Sequence, residues 1–146
     1  MSDARKDKGE EMIGYTMVGT TDLKRAERFY DPLMALIGQE RCWCDEQVAS
    51  WGRKDDDRAP RFFTGYPFDG NPAGIGNGAM TAFLVPSAAI IDRLFATAME
   101  QGGSVEGEPG FRPQYGDGFY AAYVRDPDGN KLAFVCYDAR PSATEA

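Results

Sequence analysis

The 146-residue chain contains no histidine. Serine–histidine and cysteine–histidine nucleophiles are therefore excluded, and so is any metal centre built on imidazole. Cysteine is scarce, with three residues. An odd number cannot pair fully. Cys42 and Cys44 lie two apart on an expected strand and would share a face. No second pair stands elsewhere to complete four metal ligands, so reduced structural thiols are expected. Long apolar runs are also missing. The longest, residues 79–85, is far short of the ~18 residues of a membrane span. Nor is positive charge in excess: the net charge is −7. Neutralising phosphates needs clustered Lys and Arg, so a nucleic-acid or anionic-membrane partner is not expected. The N-terminus, Met1-Ser2-Asp3-Ala4-Arg5-Lys6, has no apolar signal core behind it. The expected location is the cytoplasm.

Apolar residues make up 42% of the chain and aromatics 12%, which supports a packed core. The length suits one domain that buries about two-thirds of its unfolded surface. Residues 1–11 and 138–146 lack periodicity and read as flexible arms. Between them one pattern occurs twice. A short apolar strand spans residues 12–18. Thr21 or Asp22 then caps a helix carrying Leu23, Ala26, Phe29, Tyr30, Leu33, Met34 and Ile37 at helical spacing. Pro32 is expected to interrupt it, with Asp31 capping a fresh turn. Gly38 ends it. Strands follow at 40–45, 47–53 and 61–66. Residues 69–78 form a glycine-rich crossover loop. It is not a phosphate cradle, because no Gly-Lys-Ser/Thr follows and a strand comes next. The second half opens with a strand at 80–85. Ser87 caps a helix with Ile91, Leu94, Phe95 and Ala98 on one face, closed by Gly102-Gly103. Strands follow near 104–108, 119–125 and 130–137. Asp126-Pro127-Asp128-Gly129 supplies the last hairpin turn, with glycine at the left-handed position.

Two stretches carry a family resemblance. One is Ile13-Gly14-Tyr15-Thr16-Met17-Val18-Gly19-Thr20-Thr21-Asp22-Leu23 followed by Arg28-Phe29-Tyr30-Asp31. The other is Tyr123-Val124-Arg125-Asp126-Pro127-Asp128-Gly129-Asn130-Lys131-Leu132. Together they resemble the vicinal-oxygen-chelate superfamily of glyoxalases, bleomycin-resistance proteins and extradiol dioxygenases. The resemblance implies an α+β fold of two βαβββ modules, about 12–68 and 79–137, whose curved mixed sheets surround a central cavity. It also implies a homodimer. In that family a divalent metal is held by a histidine on the first strand, a second residue on the strand opening the second half, and a glutamate on the last strand. The corresponding positions here are Tyr15, Met80 and Ala133. A phenol and a thioether are poor ligands for such metals, and alanine is none. No metal and no other cofactor is expected.

Strand alternation puts Ile13, Tyr15 and Met17 on one face, Met80, Ala82 and Leu84 on another, and Ala133 with Val135 on a third. By the resemblance these faces meet at the cavity. Trp51, Phe62 and Tyr66 from the first half are expected nearby, with Tyr115, Phe119 and Tyr123 from the second. Arg53 and Arg112 are candidate anchors for a carboxylate. The glycine-rich stretch 109–118 has the composition of a lid. The expected partner is a small, partly aromatic organic molecule, sequestered in the manner of the bleomycin-resistance branch. Two alternatives stay open. One is a metal-independent enzyme of lyase or isomerase type, with Tyr15 or Tyr115 as acid and Asp117 or Glu106 as base. The other is a structural or regulatory module whose cavity is filled by side chains.

Overall fold

A computed structural model describes residues 11–140. Of the arms expected at 1–11 and 138–146, residues 1–10 and 141–146 lie outside them. The chain does not detach at 138, however, because Ala139 is buried against the core and its N–H donates to Gly118 O at 2.9 Å.

The repeated pattern becomes two βαβββ modules. The first has β1 (Tyr15–Gly19), α1 (Leu23–Leu36), β2 (Glu40–Cys44), β3 (Val48–Gly52) and β4 (Arg61–Gly65). The second has β5 (Thr81–Leu84), α2 (Ala88–Glu100), β6 (Ser104–Phe111), β7 (Tyr120–Arg125) and β8 (Lys131–Cys136). Each module forms one mixed four-stranded sheet, in the orders β1-β4-β3-β2 and β5-β8-β7-β6. β1 and β4 run parallel, as do β5 and β8, because the intervening helix carries the chain back across the sheet. The sheets do not close into a barrel: β1 and β5 are both free edges.

Local chemistry sets the helix ends. Asp22 accepts from Arg25 N at 3.1 Å and Ser87 from Ile90 N at 3.2 Å, so each cap satisfies an otherwise orphaned N–H. Pro32 does not interrupt α1, which runs unbroken through it. The missing N–H deprives the Arg28 carbonyl of its intrahelical donor, yet buried Phe29, Tyr30, Leu33 and Met34 hold the turns on both sides of it. Asp31 is not a cap either. Its carboxylate takes Arg41 Nε at 2.8 Å, Arg41 Nη2 at 2.9 Å and Trp51 Nε1 at 2.9 Å. Burial would raise the Asp31 carboxyl, but the bonds from Arg41 and Trp51 outweigh it and hold it below its ordinary value.

One core joins the modules. The two helices pack on each other, and each covers its own sheet. Trp51, Phe62, Phe83 and Phe134 form a continuous aromatic run across the gap, with Tyr30 against the first two. A polar latch closes one end. The Asp128 carboxylate accepts from Thr20 Oγ1 at 2.6 Å, Thr21 N at 2.9 Å and Arg25 Nη2 at 2.7 Å. Asn130 Nδ2 donates to Gly19 O at 2.8 Å. Gly129, at φ +94°, makes the turn that presents both side chains. No described helix is long and apolar enough to cross a membrane.

Candidate functional site

Helices cover one face of each sheet and leave the other open. On the first sheet the open face carries Tyr15, Met17 and Phe63; on the second it carries Ala82, Leu84, Ala121, Tyr123, Lys131, Ala133 and Val135. The expected lining residues do not converge on one central cavity. Those that line a hollow divide between two that share Met80, while Tyr15, Tyr66 and Ala133 line neither.

The first hollow, of about 550 Å³, lies between the free edges of β1 and β5. Trp51, Arg53, Phe62 and Met80 line it, beside Met34, Ile37, Phe83 and Leu84. Trp51 and Phe62 are nevertheless core residues. They oppose each other across β3 and β4 on the helix-covered face, where Tyr30 packs on both. Tyr66 is also displaced from the expected lining: its hydroxyl accepts from Leu23 N at 3.1 Å, at the start of α1. Arg53 is engaged by Asp56 at 2.8 Å. The run Asp55-Asp56-Asp57 forms the turn around it.

The second hollow, of about 540 Å³, lies on the open face of the second sheet. Met80, Arg112, Tyr115 and Tyr123 meet there with Glu106, Gln114, Phe119 and Lys131. Ala133 lies beneath, fully buried with Ala121 and Val135 under Phe119 and Tyr123. Strand β6 extends through Phe111, so residues 109–111 of the expected loop are strand, and Pro113–Tyr115 form a single 3₁₀ turn. That turn sets Tyr115 edge-on to Phe119, with 5.5 Å between ring centres. The guanidinium of Arg112 donates to Gly110 O at 2.9 Å and Glu108 O at 2.8 Å, and lies 5.5 Å from the centre of the Tyr123 ring. Gly107 makes room: a Cβ there would stand 2.9 Å from Tyr123 Cδ2 and 3.2 Å from Arg112 Nη2. Lys131 was missing from the expected set, although it alternates with Ala133 and Val135. Its Nζ lies 5.9 Å from the same ring centre.

Tyr15 is not at the floor of a cavity within the chain. It is 69% exposed, edge-on to Phe63 at 5.3 Å. The two candidate bases are no better placed. Glu106 is held by Arg125 Nε at 3.3 Å, and Asp117 is exposed. Neither bonds to Tyr15 or Tyr115 among the described residues, so no activated acid–base pair is assembled. The donor set does not fit a divalent metal. Tyr15, Met80 and Ala133 offer a phenol, a thioether and a methyl group, and no three Cys, Asp or Glu side chains group together to hold an ion among the described residues.

Over residues 44–134 the chain matches the profile of the Glyoxalase/Bleomycin resistance protein/Dioxygenase superfamily. Its structure superposes on that of a glyoxalase/bleomycin resistance protein from Albidiferax ferrireducens T118 with 32% identity and a TM-score of 0.76, covering 90% of this chain and 100% of that one. A glyoxalase-related enzyme from Fulvimarina pelagi shares 18% identity at a TM-score of 0.65, over 85% of this chain and 86% of that one. A lactoylglutathione lyase from Agrobacterium tumefaciens shares 22% identity at 0.57, over 85% and 92%. The last two are likenesses of fold. No curated protein matches the chain.

Proposed function

Because this chain belongs to the glyoxalase/bleomycin resistance protein/dioxygenase superfamily, we propose that it uses the superfamily scaffold to bind a small, partly aromatic organic molecule without a metal. The observation that carries this reading is the second hollow. Its aromatic walls are preformed by a short turn and a strand, and its volume is that of a small-molecule site. Tyr115 and Phe119 offer ring faces, while Gln114 and the cations offer polar contacts.

A panel of aromatic small molecules tested by thermal shift in the presence of a chelator checks the reading. Binding at 100 times Kd adds about 2.7 kcal/mol to stability. The expected result is a shift that survives chelation and is weakened by Tyr115→Ala. A shift abolished by the chelator, or one indifferent to Tyr115, would overturn it.

We further propose that the protein is a homodimer. Tyr15, Met17, Leu84, Met80, Tyr115 and Tyr137 are large apolar side chains exposed in one chain, mostly on or beside the open faces. Exposed apolar side chains of this size suit an association surface, and two-fold pairing is the commonest way to cover one. Sedimentation at micromolar concentration should give twice the 16.0 kDa of one chain. Leu84→Glu should shift the equilibrium toward the monomer with the circular dichroism spectrum unchanged. A wild-type protein sedimenting as one chain would refute the dimer.

A further inference from the structure

Six cationic side chains among the described residues are half-buried: Arg25, Arg41, Arg61, Arg112, Arg125 and Lys131. Four of them have a carboxylate within ion-pair distance: Asp128 for Arg25, Asp31 for Arg41, Asp57 for Arg61 and Glu106 for Arg125. Arg112 and Lys131 have none among the described residues. Both lie against one ring, that of Tyr123, in one hollow. In a chain of net charge −7, carboxylates are the abundant partner, yet these two cations are left without one. Partial burial removes part of their hydration, and no opposite charge offsets the loss. The one carboxylate that lines the hollow, Glu106, is occupied by Arg125.

Arg112 is also preorganised. Two of its five N–H groups are spent on the carbonyls of Gly110 and Glu108, which fixes the plane of the guanidinium against Tyr123. The remaining donors keep the fork geometry that matches a planar or tetrahedral oxyanion. Lys131 adds a second positive charge at the edge of the same platform, and the Tyr115–Phe119 pair supplies an apolar wall.

We propose that the ligand of this hollow is an aromatic anion, its oxyanion bound by Arg112 and Lys131 and its ring placed against Tyr115 and Phe119. The proposal rests on the reading of the hollow as the ligand site and adds the charge and class of the ligand. A carboxylate and a phosphate ester share the chemistry that Arg112 and Lys131 recognise.

The test uses three probes of one shape on the full chain: 2-naphthoate, 2-naphthyl phosphate and the neutral 2-naphthamide, titrated by calorimetry at two ionic strengths. Either anion should bind at least about tenfold tighter than the amide, with the advantage shrinking in salt. The tighter of the two anions identifies the oxyanion. Arg112→Gln and Lys131→Gln, each checked by thermal melting to be folded, should each remove most of that advantage and weaken the anions far more than the amide. Lys131→Gln keeps the test sound should Arg112→Gln unsettle its own loop. Equal binding of anions and amide, all weakened by Tyr115→Ala, overturns the anion assignment while the hollow stands as a site. An anion preference unaffected by either Gln variant overturns the assignment of the residues. Failure of all three probes to bind at millimolar concentration overturns both the site and its charge preference.

Discussion

Phe62→Ala should lower the stability of the protein by about 3–5 kcal/mol, the range for emptying a large aromatic site in a core. Phe62 is the ring through which the aromatic run crosses from the first module to the second. Its centre lies 4.9 Å from Tyr30, 6.1 Å from Trp51 and 4.9 Å from Phe83 of the other sheet. The cavity left behind would be walled by β3, α1 and β5 together, and no single element could shift to fill it without disturbing the others. Chemical denaturation measures the loss. Phe63, one residue on, is the internal control. It faces the open side and touches Tyr15, so Phe63→Ala should cost much less. Equal losses at the two positions would mean that the aromatic run is not what holds the modules together.

Tyr30→Phe should cost about 1.5–3 kcal/mol near neutral pH, the worth of a hydrogen bond to a charged group. The Tyr30 hydroxyl donates to Asp126 Oδ2 at 2.5 Å in the core. Burial, followed by the Asp126 charge, pushes the phenol well above its ordinary value, so it stays a donor. Asp126 accepts as well from Asn130 Nδ2 at 3.0 Å, Asn130 N at 2.9 Å and Asp128 N at 3.0 Å. Even so, burial outweighs these bonds and raises the Asp126 carboxyl. The sign of the pH dependence follows. A carboxyl raised on folding binds its proton in the native state before it would in the unfolded chain, so its own contribution favours the folded state as pH falls. Removing the phenol raises that carboxyl further. The deficit of Tyr30→Phe relative to wild type should therefore be greatest above the native titration and shrink on acidification through it. Paired denaturation curves at several pH values check this. A deficit that grows in acid would show that the bond is not made to the ionised carboxylate.

Much of the fold was legible because its signals are local. Asp22 and Ser87 cap their helices as short polar residues before an apolar periodic run do. The two repeats gave the module count, and Gly129 marked its turn. The lining of the site was harder to read, for a physical reason. Alternation reveals a strand's face only where one side is wet. In β3 four consecutive residues from Ala49 are buried, and in β8 five from Leu132, so neither strand betrays which side its aromatics take. Trp51, on β3, therefore gives no sign in sequence that it packs under α1 as well as lining the first hollow, and Phe62 sits opposite it in register. Pro32 misled in the opposite way. A local breaking signal was overridden by four buried neighbours of the same helix. Arg112 was legible only as a candidate, and the pairing of charges that sets it and Lys131 apart exists only in three dimensions.

The Asp128 latch also orders events in time. Its partners Thr20, Thr21 and Arg25 stand 103–108 positions away along the chain, and the Asn130–Gly19 bond spans 111. Closing a loop of that length carries a large entropic cost, which short-range contacts do not incur. The bonds of the latch are therefore expected to form after each module has paired its own strands, outside the folding nucleus. Asp128→Ala should then raise the unfolding rate and leave the folding rate nearly unchanged, which the two limbs of a denaturant chevron measure. The turn that reads in sequence as a hairpin marker would thereby set how long the folded protein lasts.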